Sequence, residues 1–292
     1  MFDAEFDVIS IDKNKNQAPK KVAIYEVKVE HEPIINHTFK RVEALDILST
    51  DYDAFFYVAH NIVIKKALGD IKKLLRMQAN APSGLASKAK IFMAICDKQL
   101  CGVAVANVPK ITKDGEIVSS CRSNPTETEL DWLVTWQLTS GQCVKCDGKI
   151  LLSYVYDFVR ESNFKSLYIR AMEPRLTNAV LFYSSMGCTK SGGVIPYESP
   201  GMPIEIIRIL DPKYKRYTGV TVPMEISCEN AFDKANDIFN EFKSVRLAYT
   251  CPSLQNLYDF CDIKPKTFLV RDLFSPYTVF KKIALAISLK VL

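Results

Sequence analysis

Histidine is scarce in this chain of 292 residues: there are three, His31, His37 and His60, and none beyond residue 60. A structural zinc centre needs four ligands of the cysteine, histidine or carboxylate kind. The close cysteine pair Cys143-x-x-Cys146 has neither a second close pair nor a nearby histidine to complete such a set. No metal is expected, and a redox reading of the pair would need a thioredoxin-like context that the sequence lacks. Long apolar runs are absent too. The most apolar stretch, IALAISL from Ile283 to Leu289, is far shorter than the roughly 20 residues a membrane helix needs. The start, MFDAEFDVISIDKNKN, has no basic segment leading into an apolar one, so no secretory leader is expected. The nine cysteines are odd in number and scattered, without the density of a disulfide scaffold, which points to a reducing, cytoplasmic setting. Dense Lys/Arg clusters interleaved with aromatics are missing, so a nucleic-acid partner is not expected. No repeat or low-complexity segment is present.

What is present is a globular composition, with 48% hydrophobic and 24% charged residues, on a chain long enough to bury a substantial core. The net charge of +5 is a mild excess. It fits solvated lysines, and it suits an anionic partner such as coenzyme phosphates.

Along the chain, residues 1–20 read as a loosely held arm, 21–211 as one domain and 212–292 as a mainly helical extension. VAIYEVKVE (22–30) alternates as a strand does. A long helical pattern runs from Asp51 to about Met77, with Gly69 as an expected interruption. IFMAICD (91–97) and QLCGVAVANV (99–108) form a hairpin around a polar turn at Asp97–Lys98. A strand at 130–138, a helix at 149–164, a strand at 166–172, a short helix at 178–187 capped by Gly187 and a strand at 203–210 follow. In the extension, residues 228–249 read as an amphipathic helix, with shorter helices beyond it between Pro252, Pro265 and Pro276. IALAISL reads as buried packing.

The informative part is a strand, a glycine-containing loop and a helix, DWLVTWQLTSGQCVKCDGKILLSYVYDF. A helix start presents unpaired N–H groups and a positive dipole end, which suits phosphate. Lys145 and Lys149 add charge. Taken alone, the pattern is also that of an ordinary connection.

The stretch from Phe164 to Gly192 narrows the reading. It resembles the C-terminal half of the GNAT superfamily of acyl-coenzyme A-dependent N-acyltransferases. The signature there is a helix-opening Asn followed by Ala-x-x-Phe-Tyr-x-x-x-Gly, and this chain has Asn178, Ala179, Phe182, Tyr183, Gly187 and Cys188. LDWLV is similar to the family strand that pairs with the pantetheine arm, and GKILLSYVYDF to the helix after its pyrophosphate loop. The resemblance covers about 130–192. It implies a mixed α/β (α+β) fold whose mostly antiparallel sheet is flanked by helices. A V-shaped gap should open in that sheet between the strands at 130–138 and 166–172. It also implies acetyl-coenzyme A or another acyl-coenzyme A as donor and an amine acceptor, small molecule or protein. A homodimer stays open.

The resemblance implies roles for individual residues. The backbone of Leu133, Val134 and Thr135 should meet the pantetheine. The N–H groups of Val144, Lys145, Cys146, Asp147, Gly148 and Lys149 should hold the pyrophosphate, with Asp147 turned away from it. Asn178 should orient the coenzyme, cap the helix, or do both, and Tyr183 should protonate the departing thiolate. The family loop is Gln/Arg-x-x-Gly-x-Gly/Ala. This chain keeps only Gly148, puts Cys146 at the central glycine and adds a charge at Asp147. For the base, strand alternation places Glu129, Asp131, Leu133 and Thr135 on one face, with Glu129 the first candidate and Asp131 the second. A GNAT-fold binding or sensor module without acylation activity is the rival reading, and the acceptor stays open.

Overall fold

The computed structural model describes residues 4–11, 16–44, 52–111, 117–118, 126–136, 143–144, 147–172, 179–193, 195–196, 220–242 and 245–246. The first of these correct an expectation. Phe6 and Val8 alternate with Asp7 and Ile9, and that period of two, hidden in a polar stretch, makes a strand, not a loose arm. Strand β1 (Ala4–Ile11) pairs antiparallel along its length with β2 (Gln17–Glu26) and buries Phe6 and Val8.

Two helices follow, α1 (Glu32–Ala44) and α2 (Tyr52–Asn80). Gly69 does not interrupt α2. A side chain there would meet nothing closer than the Phe39 ring at 3.9 Å, and the helix on either side outweighs the roughly 1 kcal/mol that glycine costs. The hairpin of β3 (Lys90–Cys96) and β4 (Gln99–Ala106) turns at Asp97 and Lys98. Both turn residues have positive φ, 48° and 60°, the twist a tight hairpin prefers. Two short strands, β5 (Lys110–Ile111) and β6 (Ile117–Val118), pair with each other. Then come β7 (Glu127–Thr135), β8 (Cys143–Val144), α3 (Asp147–Glu161), β9 (Ser166–Met172) and α4 (Ala179–Ser185). Helix α4 closes on Gly187 at φ 87°. The Cys188 N–H reaches Tyr183 O at 3.0 Å and the Gly187 N–H reaches Ser184 O at 3.1 Å, the paired bonds of a left-handed glycine cap.

The remaining described elements are β10 (Thr189–Lys190), β11 (Ile195–Pro196), β12 (Val220–Ser227), α5 (Cys228–Glu241) and β13 (Val245–Arg246). Here the residues after 211 add something the sequence reading lacked. Val222, Met224 and Ile226 alternate and are buried, and β12 pairs with β9 from Ser166 to Met172. Pro223 in its middle disguised the strand. Helix α5, capped by the Ser227 side chain, packs on α3. Residues 220–241 therefore belong to the same sheet and core. The expected strand at 203–210 and everything beyond 246 lie outside the described residues.

The 11-stranded sheet runs β10-β12-β9-β7-β4-β3-β2-β1-β13, with β11 on β12 and β8 on β1. Among the described residues every pairing is antiparallel except β7 with β9. One core lies between the sheet and α3, α4 and α5, and the other under α1 and α2.

Candidate active site

The parallel pair is where the sheet opens. Its register matches Glu127–Leu130 with Ser166–Ile169 and ends there, while β7 continues to Thr135 and β9 to Met172. On their outer sides both strands stay paired, β7 with β4 and β9 with β12. Two strands anchored outward whose mutual ladder stops leave a gap with backbone edges turned into it. Leu133, Val134 and Thr135 belong to the β7 edge of this gap.

At the far end of the β7 edge begins α3. A side chain built on Gly148 would lie 3.7 Å from the Thr135 methyl and 3.8 Å from the Phe182 ring. The end of β7, the start of α3 and α4 thus converge on the one glycine the sequence shares with the family loop. A methyl group would fit that space, so Gly148 is not forced by packing. Gly102 on β4 is. A side chain there would stand 2.9 Å from Leu151 and 3.0 Å from Thr135, so α3 approaches β4 over a bare backbone.

Asp147, the first residue of α3, is 5% exposed. Its Oδ1 accepts the Gly148 N–H at 2.8 Å, and its own N–H also contributes. Its charge is felt at Cys96 on β3. Burial pushes its carboxyl up to about 7, against the opposing pull of the two N–H groups. Two of the backbone donors expected for a pyrophosphate therefore already serve a carboxylate. Val144 pairs with Ser10 of β1, and the half-buried Lys149 is the third residue of α3, within its first turn. Lys145, Cys146 and Asn178 lie outside the described residues.

The carboxylates of β7 depart from the expected face. The β4 register jumps from Val105 with Trp132 to Ala106 with Leu130, so Asp131 is an extra residue. This bulge resets the alternation. Leu130 and Leu133 both meet the α3-side core, while Trp132, Val134 and Trp136 meet the α2 side. Glu129, neighbour of Leu130, therefore faces the α2 side, apart from Leu133 and Thr135. So does Arg170, which lies between Ile169 and Ala171 of the α3-side core.

Glu129, expected as the base, is held elsewhere. Its Oε1 accepts from Arg170 Nε and lies beside Nη2, both at 2.7 Å. Glu129 is 4% exposed. That Oε1 oxygen is therefore already engaged by two guanidinium nitrogens. Asp131 uses Oδ2 to accept the Val108 N–H at 3.0 Å, which fixes the bulge. Tyr183 is 8% exposed and packs edge-on to Phe182 with ring centres 5.2 Å apart. Burial, then Cys188, pushes its hydroxyl pKa up, so it stays a neutral donor at any ordinary pH. Below it the Tyr156 hydroxyl donates to Met186 O at 2.9 Å and contacts Cys188 Sγ at 3.3 Å, tying α3 to the cap of α4. Burial raises the Cys96 and Cys188 thiols to about 11 each, which suits packing rather than nucleophilic chemistry. The Arg170 partnership was missed because a one-residue bulge cannot be read from alternation.

A single parallel pair that opens partway, inside an otherwise antiparallel sheet and ahead of a helix start at Gly148, is the arrangement the sequence resemblance implied. The chain has the mixed α/β fold with a mostly antiparallel sheet that the resemblance to the GNAT superfamily implies. No family profile matches the sequence, and no curated protein matches it. Solved structures resemble the chain distantly. A GNAT-family acetyltransferase from Desulfovibrio desulfuricans is 11% identical over 71% of this chain and 99% of its own, with a TM-score of 0.43. The ribosomal-protein-S18-alanine N-acetyltransferase of Escherichia coli is 10% identical over 71% and 94%, at 0.38. A streptothricin acetyltransferase from Bacillus anthracis, in complex with acetyl coenzyme A, is 14% identical over 48% and 63%, at 0.30. Likenesses this distant carry no residue role across. Among the described residues no helix is long and apolar enough to cross a membrane, and no group of three His, Cys, Asp or Glu side chains could hold a metal.

Proposed function

We propose that the protein is an N-acyltransferase, acetyl by preference, that moves the acyl group directly from acyl-coenzyme A to an amine. The observation that carries the reading is the ladder between β7 and β9, which ends at Leu130 and Ile169 while both strands continue. The residues present fit such a coenzyme. The β7 edge from Leu133 to Thr135 offers backbone groups to the pantetheine amides. The space at Gly148 lets a phosphate approach the start of α3, with Lys149 adding charge. The coenzyme, when bound, supplies the thioester. The chain's own residues do the rest. A backbone N–H of β7 steadies the oxyanion, Asp131 takes the proton of the incoming amine directly or through water, and the Tyr183 hydroxyl donates to the leaving sulfur.

Calorimetry with acetyl-coenzyme A, followed by an acceptor screen read by thiol release, tests the proposal. Micromolar binding and turnover with at least one amine are expected. Binding without turnover across the screen would turn the reading into its rival, a coenzyme-binding module. The pairing of Glu129 with Arg170 favours that rival, because it engages one of the two carboxylates expected as the base.

A further inference from the structure

Arg170 is the first residue of β9 beyond the last pair of the ladder with β7. It faces the α2 side of the sheet, opposite α3. Its side chain is 48% exposed, whereas that of its partner Glu129 is 5% exposed. Burying a carboxylate is costly, and a buried ion pair seldom outperforms an apolar pair of the same volume. What the arrangement gains is orientation. Two of the five guanidinium donors, on Nε and Nη2, go to one oxygen of Glu129, and the remaining N–H groups belong to a half-exposed planar group held at the fork.

The coenzyme phosphates are not its partner. On the acyltransferase reading they lie at the start of α3, beyond Thr135. From Leu130 to Thr135 the strand advances roughly 17 Å, at about 3.3 Å per residue, and α3 is on the other face. The acyl carbon and the incoming amine belong at the fork, beside Arg170. Among the described residues, Glu129 and Asp131 are the carboxylates whose fields reach the guanidinium, and Lys66 lies over the Trp132 ring on the same face. Because Glu129 neutralises Arg170, a bare anion gains little from net charge. A zwitterion gains twice, with its carboxylate on the directional guanidinium donors and its ammonium drawn to Asp131.

We propose that the acceptor is a free amino acid, whose carboxylate is recognised by Arg170 and whose ammonium is drawn to Asp131, with Glu129 as the residue that positions Arg170. The proposal rests on the acyltransferase reading. The test uses the full chain with acetyl-coenzyme A and matched acceptors, each amino acid beside its amide and beside amines without a carboxylate. At least one amino acid should surpass its amide tenfold or more in kcat/KM. Because Arg170→Gln alone strands a buried charge, the comparison is made with Arg170→Gln/Glu129→Gln. That neutral pair should bring the ratio of amino acid to amide close to one and leave coenzyme affinity unchanged. A wild-type ratio of one or less overturns the proposal, and so does a high ratio that survives in the double variant. Coenzyme binding without turnover of any acceptor removes the acyltransferase reading and the proposal with it.

Discussion

Glu129 and Asp147 are both buried carboxylates, one at each end of the candidate cleft, and they are neutralised in opposite ways. Glu129 at the fork meets a guanidinium within hydrogen-bond distance. Asp147 at the start of α3 meets backbone N–H groups and the positive end of a helix, and burial still pushes it up to about 7. A formal charge in contact holds a carboxylate ionised, whereas two N–H groups only partly offset desolvation. The fork therefore holds its carboxylate against a guanidinium, while the start of α3 carries a carboxyl that solvent pH can switch.

The largest expected effect tests that switch. Asp147 titrates near 3.8 when unfolded and about 7 when folded. A raised acid contributes stability at low pH, begins to lose it above about pH 4 and has lost it above about pH 7. The slope is ~1.4 kcal/mol per pH unit and the total about 4 kcal/mol. Urea denaturation of the wild type and Asp147→Asn from pH 4 to 8 isolates this term. The difference between the two should shift steadily in favour of the variant as pH rises. Parallel profiles would show that Asp147 is ionised throughout this range and that burial does not govern it. An ionised Asp147 also repels phosphate, so the same variant should bind coenzyme more tightly at pH 8.

Arg170→Ala comes next. It strands the buried Glu129 carboxylate, and breaking a buried pair costs roughly 3–5 kcal/mol. Because the guanidinium is half exposed, about 2–3 kcal/mol is expected at pH 7, with partial recovery in Arg170→Ala/Glu129→Gln. An unchanged midpoint for Arg170→Ala would mean that water already solvates Glu129.

The two ends of the cleft also differed in how far the sequence revealed them. The α3 end was largely legible. Gly148, the helix after it and the Gly187 cap are local signals, and a local signal survives in a single sequence. The fork was not. Its defining features are the bulge at Asp131 and the pairing of Arg170 with a residue 41 positions away. Neither leaves a periodic trace, and the bulge inverts the alternation on which the Glu129 assignment relied. The outer strands failed for a related reason. β1 hides in a charged stretch and β12 carries a proline, so composition concealed a period of two that pairing with β2 and β9 makes stable.

Tyr183→Phe should lower kcat about tenfold, near 1.4 kcal/mol, and leave coenzyme affinity nearly intact, since the ring stays packed against Phe182. The raised hydroxyl predicts a further detail: loss of the donor should not remove any limb of the pH–rate profile below pH 9. Full kcat in the variant with a good acceptor would return Tyr183 to a packing role.

The smallest effect on stability is expected at Gly148, and it discriminates by contrast with Gly102. An added methyl at Gly102 would press on Leu151 and Thr135 at 2.9 and 3.0 Å, so Gly102→Ala should cost about 1–3 kcal/mol through overpacking. At Gly148 the same methyl meets Thr135 and Phe182 at 3.7 and 3.8 Å, ordinary contact distances. In a helix it also lowers the entropy lost on folding. Gly148→Ala should therefore unfold within about 0.5 kcal/mol of the wild type, or slightly above it. The space it fills is the approach to the start of α3, so the dissociation constant for acetyl-coenzyme A should rise several-fold with the protein otherwise intact. A stable variant with unchanged coenzyme affinity would place the phosphates elsewhere and leave Gly148 as a residue of the turn alone.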